Sequence, residues 1–164
     1  MKQDSDEILT NDKILPISFF KGGTSVLADA FLVKGNLNID EMYFAFTYGT
    51  FLQLIDDLQD AEEDKKDRHQ TLFSTRNENE IVDNEIKRLI SYIFKLNTVN
   101  DPNTETMSFM KQVISSCTLI MVMEAVGRNP ELISNELYKE LESYSKVRLS
   151  YYKKFEEKIK SAIY

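Results

Sequence analysis

Tryptophan is absent, and histidine and cysteine occur once each, as His69 and Cys117. One cysteine excludes an intrachain disulfide. One histidine excludes a metal centre built from several imidazoles, and any His-based triad would depend on a single ring. Only 5 glycines and 3 prolines are present, few for an all-β chain built on tight turns. Basic surface is also scarce: 20 Lys and Arg face 27 Asp and Glu, a net charge of −7. That balance argues against a nonspecific grip on nucleic acid or anionic membrane, yet allows an acidic, metal-loaded pocket. Lys2 to Asp6 offer no apolar stretch, so no signal peptide is expected. The longest apolar segment, Thr118 to Val126, carries Glu124 and is too short for a membrane span. With the lone thiol, these features point to a reducing cytoplasm.

What is present favours helices. The chain has 164 residues, 42% of them hydrophobic, enough for one domain with a real core. Residues 1–16 are a polar lead-in and 17–164 a single all-α domain. A first helix is expected from Ser18 to Val33, ended by Gly35 and Asn36. A second starts at an N-cap near Asn38–Asp40 and runs to about Lys66. It is apolar on nearly every side from Met42 to Leu58, so it should be central and the most buried. Residues 68–78 read as a loop. A third helix is expected over Glu80–Leu96, with Ile81, Ile86, Leu89, Ile90, Ile93 and Phe94 at helical spacing. Residues 97–103 form a turn around Pro102. A fourth helix covers Thr104–Val126 and is closed by Gly127. Pro130 opens a fifth, which runs through Leu132, Leu137, Leu141, Tyr144 and Leu149 to the end and leaves room for a break. Cys117 and the Met and Phe positions of the third and fourth helices read as core, and His69 as an exposed loop residue.

The chemistry lies at the end of the second helix. At about 100° per residue, Gly49, Gln53, Asp56, Asp57, Asp60, Glu63, Asp64 and Asp67 share roughly a third of its circumference, while Lys65 and Lys66 fall outside. Acids at a helix C-terminus oppose the macrodipole, and like charges four residues apart repel. A divalent cation would relieve both. Magnesium takes oxygen ligands and typically uses one or two carboxylates plus phosphates. The same stripe runs back through Gly49, Phe46 and Met42, an apolar floor suited to a substrate with an anionic head and a hydrocarbon tail. Against this stands the plain reading of a solvated acidic helix end.

The run Gly49-Thr50-Phe51-Leu52-Gln53-Leu54-Ile55-Asp56-Asp57-Leu58-Gln59-Asp60 resembles the second aspartate-rich motif of trans-prenyl diphosphate synthases. Lys21-Gly22-Gly23-Thr24-Ser25 looks like that family's Lys-Thr helix. Arg68-His69-Gln70-Thr71-Leu72 resembles the basic residue and Thr-Leu run after the motif, with Phe73 in place of a proline. The spacing Asp60, Glu63, Asp64, Arg68 is also similar to squalene and phytoene synthases. The resemblance covers residues 17–76. It implies a helical bundle like part of the class I isoprenoid synthase fold and a cavity that holds Mg2+ and an isoprenoid diphosphate. It implies Asp56, Asp57, Asp60 and Asp64 as metal ligands, Gln53 with Asp56, Asp57 and Asp60 in the catalytic machinery, and Lys21 and Arg68 on the diphosphate. The family uses two facing aspartate-rich helices, and no DDxxD precedes Lys21 here. The chain therefore resembles a C-terminal half, which predicts a homodimer or a missing N-terminal partner. Two functions follow: Mg-dependent isoprenoid diphosphate binding or prenyl transfer, or a non-catalytic helical module that dimerises or binds a partner through its apolar face.

Overall fold

A computed structural model describes residues 9–77, 80–98 and 105–163. Among these residues the chain is helical, without strands. The helices are α1 (Asn11–Lys34), α2 (Ile39–Gln59), α3 (Ala61–Asp67), α4 (Asp83–Thr98), α5 (Glu105–Arg128), α6 (Asn135–Tyr144) and α7 (Ser150–Ile163), with a short 3-10 turn at Pro130–Leu132.

Helix α2 is central. It packs on α1, α4 and α5, and Phe51, Ile55 and Leu58 are fully buried there. Burying each such side chain contributes about 1.5–3 kcal/mol. Val82, Ile86 and Ile93 of the α4 region and Val122, Ala125 and Val126 of α5 complete the same core. The expected cap is present: Asn38 accepts from the Glu41 backbone N–H at 2.9 Å, and the Glu41 carboxylate accepts from Asn38 N–H at 3.0 Å. This reciprocal pair satisfies two N–H groups that the first turn leaves without partners. Gly35, at φ 81°, ends α1 in a conformation that suits glycine.

Several boundaries differ from the sequence pattern. Helix α1 begins at Asn11 and carries Pro16 inside it. Leu9 and Ile14 are buried, so this stretch is docked. Pro16 is the sixth residue of the helix, beyond the first N–H groups that lack intrahelical partners, and forgoes the bond that an N–H there would give Asp12 O. Helix α4 starts at Asp83, since the Val82 N–H is taken by Leu132 O at 2.8 Å. Val82 is fully buried and Ile81 is exposed. Gly127 lies within α5. Its bare Cα faces Leu149 O, where a Cβ would lie 2.5 Å away. Pro130 opens only the 3-10 turn, and the C-terminal helix is split into α6 and α7. Cys117, Phe94, Phe109 and Met110 are exposed rather than core. Most of the 97–103 turn lies outside the described residues.

The Phe109–Arg128 stretch of α5 is long and apolar enough, by length and composition alone, to cross a membrane. Its last turns hold Val122, Met123, Ala125 and Val126 in the core.

Candidate active-site groove

The α1–α2 contact sets the geometry. Gly22 and Gly49 meet backbone to backbone, so that a Cβ on either would strike the carbonyl of the other. A Cβ on Gly23 would lie 2.6 Å from the Phe46 ring. The Lys21-Gly22-Gly23-Thr24 run is therefore first a close-packing device. Thr24 turns its hydroxyl back on its own helix, to Phe20 O at 2.5 Å.

About two turns along α2 from Gly49, Asp57 points into the same interface. It is 3% exposed. Ser18 Oγ donates to its Oδ2 at 2.8 Å, and Gln53 Nε2 donates to its Oδ1 at 2.8 Å. Burial raises the Asp57 pKa above the usual carboxylate range. The bonds from Gln53 and Ser18 and the positive charge of Lys21 oppose that rise. Both oxygens are thus engaged by the protein, and Asp57 is a helix-pairing residue in this structure.

Asp56 is exposed, with Gln53 Nε2 at 3.3 Å. It lines a groove of about 310 Å³ between α1, α2 and α5. Its lining is apolar at Val26, Leu52, Ile55 and Met121 and polar at Ser25, Gln53, Asp56 and Gln59. Lys21 is exposed one residue from the groove's Gly22.

The acidic stripe does not continue as one helix. It breaks at Asp60, which closes α2 and precedes α3. The cause lies seventy residues away. Buried Asn129, just after α5, donates through Nδ2 to Leu58 O at 2.8 Å and Gln59 O at 3.0 Å. Those carbonyls end α2, and a side-chain donor takes the place of the next turn's N–H. The break reverses the electrostatics expected for one long helix. Glu62, Glu63 and Asp64 occupy the first turn of α3, where the dipole favours acids, and Lys65 and Lys66 occupy its last turn.

Asp60 and Glu63 open onto a different groove, of about 400 Å³, between α2–α3, α5 and α7. Arg128, Lys153 and Lys160 share its wall, so the acids have cationic neighbours that the stripe alone did not reveal. Burial, Asp56 and Glu63 raise the Asp60 pKa, and Arg128 opposes them. Asp64 is half-buried, and burial raises its pKa to about 6 despite the charge of nearby His69 and a hydrogen bond to Thr71. His69 is itself half-buried rather than exposed. The 68–77 connection is packed: Thr71 and Ser74 exchange backbone-to-hydroxyl bonds at 2.8 and 3.1 Å, and Leu72 and Phe73 join the core. Arg68 is exposed at the left-handed C-cap of α3 and lines neither groove.

Of the residues expected to form one site, the fold brings Gln53 and Asp56 into one groove and places Asp60 at the mouth of the next. It uses Asp57 for packing and sets Asp64 beside the 69–71 loop. Among the described residues, no three His, Cys, Asp or Glu side chains converge to hold a metal ion. Asp56 and Asp60 lie one turn apart, and the charge of Asp56 helps raise the Asp60 pKa. Ser18 and Asn129 went unremarked in the sequence. A buried serine two positions after a lone proline, and an asparagine between a helix end and Pro130, carry no pattern of their own. Compared with known proteins, the chain matches no protein family, no curated protein and no solved structure.

Proposed function

We propose that the α1/α2/α5 groove binds an isoprenoid diphosphate in a magnesium-dependent manner, as part of a prenyl or terpene synthase-like protein. The observation that carries this reading is the groove's mixed lining, in which Ser25, Gln53, Asp56 and Gln59 stand beside Val26, Leu52, Ile55 and Met121. A lining with both characters suits a molecule with an anionic head and a hydrocarbon tail. Asp56 in this groove and Asp60, one turn further along α2 and lining the neighbouring groove, would hold Mg2+ together with the diphosphate. Gln53 orients the polar lining through its bonds to both Asp56 and Asp57. Lys21 adds positive charge at the α1 edge. A bound divalent ion would stabilise the diphosphate leaving group. Because one carboxylate pair is few for a whole site, ionisation of the substrate would require a second acidic helix from a partner chain or an N-terminal segment.

Calorimetry with an allylic diphosphate analogue tests this. Binding should be at least about tenfold tighter with Mg2+ than without, since the ion bridges two negative partners. Asp56→Asn with Asp60→Asn should remove that gain and leave the helical circular dichroism intact. Affinity that ignores both magnesium and the double substitution would overturn the assignment.

A second reading is favoured by Phe109, Met110, Val113 and Ile120, all exposed on α5. Single apolar residues on a surface are ordinary, but a contiguous group marks a contact surface. On that reading the chain is a non-catalytic module that dimerises or binds a partner. Light scattering of the full chain separates the two: a monomer that binds the analogue supports the first, and a dimer that does not bind it supports the second.

A further inference from the structure

The chain's negative charge is not evenly spread. Residues 144–162 contain six Lys and Arg against two Glu, a local net of +4 within a chain of net −7. Helix α7 sorts these charges by face. Its inner side rests on α5, where Leu149 and Tyr152 meet Gly127. Its acids turn the same way. Glu156 pairs with Lys160 at 2.9 Å and lies 3.9 Å from Arg128, and Glu156 and Glu157 both line the groove shared with α3.

The outer side is different. At about 100° per residue, Tyr151, Phe155, Ile159 and Ala162 fall within roughly 80° of each other, with Lys154 and Lys158 along one flank. All six are exposed. Tyr151 and Phe155 stack at 5.7 Å, a preassembled aromatic ridge. The same composition continues through the segment before the helix, where Tyr144, Lys146, Val147 and Arg148 are exposed.

We infer that this face of α7 and the 144–148 segment dock the protein on an anionic lipid surface. The apolar ridge enters the headgroup boundary, and Lys154 and Lys158 lay their stems alongside it and reach the phosphates. Charge complementarity selects the anionic lipid. The pattern also runs from a helix into irregular chain, which a fluid interface accepts and a partner helix with fixed ridge spacing does not. The remaining acids do not prevent docking, because a Debye length of about 8 Å at physiological salt screens charges on the far side of the molecule. This surface is separate from the α1/α2/α5 groove and does not depend on its function.

Cosedimentation of the full chain with phosphatidylcholine vesicles, with and without phosphatidylglycerol, tests the inference. Binding is expected only with phosphatidylglycerol and should weaken with salt. Lys154→Glu with Lys158→Glu should reduce partitioning by about tenfold or more, and Phe155→Ser should reduce it at unchanged charge. Lys87→Glu with Arg88→Glu, the same charge change at exposed sites on α4, should leave most of the binding. Equal losses in the two charge-reversal pairs would overturn the proposal, as would absent binding by the folded wild-type chain. Lipid-free self-association abolished by the α7 variants would also overturn it, in favour of a contact between copies.

Discussion

The α1–α2 interface and the α2/α3–α7 groove lie along one acidic stripe but handle charge in opposite ways. At the interface, two glycines let backbones touch, and the buried carboxylate Asp57 is held by two donors at 2.8 Å. In the groove, Asp60, Glu62, Glu63 and Asp67 stay near water, among Arg128, Lys153 and Lys160. Adjacent aspartates show the contrast most directly: Asp56 is exposed and Asp57 is 3% exposed. Residue type alone does not assign a role. Desolvation does, because a buried carboxylate must be hydrogen-bonded and an exposed one is available to a ligand.

The sharpest way to break this comparison is at the glycines. Gly49→Ala would gain up to about 1 kcal/mol of helix propensity. It also drives a methyl into the Gly22 carbonyl, where only backbone movement makes room. Overpacking costs about 1–3 kcal/mol and more when the obstacle is rigid. Net destabilisation of about 2 kcal/mol is expected in urea unfolding, and an unchanged midpoint would mean the helices are further apart than described.

Asn129→Ala is next. It leaves the Leu58 and Gln59 carbonyls without their donor, a loss of about 1–3 kcal/mol. Hydrogen exchange should accelerate in the last turn of α2 and in α3 more than in α1. Uniform acceleration would show that Asn129 does not specifically hold the break.

The smallest effect concerns pH. Asp64 has a folded pKa raised to about 6 from 3.8. Its contribution is therefore fully present below the unfolded value and is lost as pH rises from about 4 to about 6. Asp57 and Asp60 are shifted in the same direction and Glu156 in the other, so the test is the difference between wild type and Asp64→Asn. The variant should flatten the fall in stability across that window by on the order of 1 kcal/mol, after allowance for solvent screening of a partly exposed group. Parallel curves would remove Asp64 as the source.

Much of the fold was legible from local rules. The N-cap in the Asn38–Asp40 stretch, the glycine stop at Gly35 and the apolar run of α2 each appear in the structure where the pattern places them. The break at Asp60 was not legible, because residues 56–66 contain no Gly or Pro to mark a stop and the donor that caps the end of α2 comes from Asn129, distant in sequence. The exposure of Cys117 and Phe109 was hidden for a related reason: an apolar residue at helical spacing states a preference for burial, not the presence of a neighbour.

Sequence by itself determined that this chain is helical and that carboxylates gather at the end of its most apolar helix, since backbone periodicity and side-chain chemistry are local properties. Tertiary structure alone decided which of those carboxylates is free. Asp57 lost its availability to Ser18 across a glycine contact, and Asp60 gained Arg128 as a cationic neighbour, because burial and charge compensation depend on what other segments bring near.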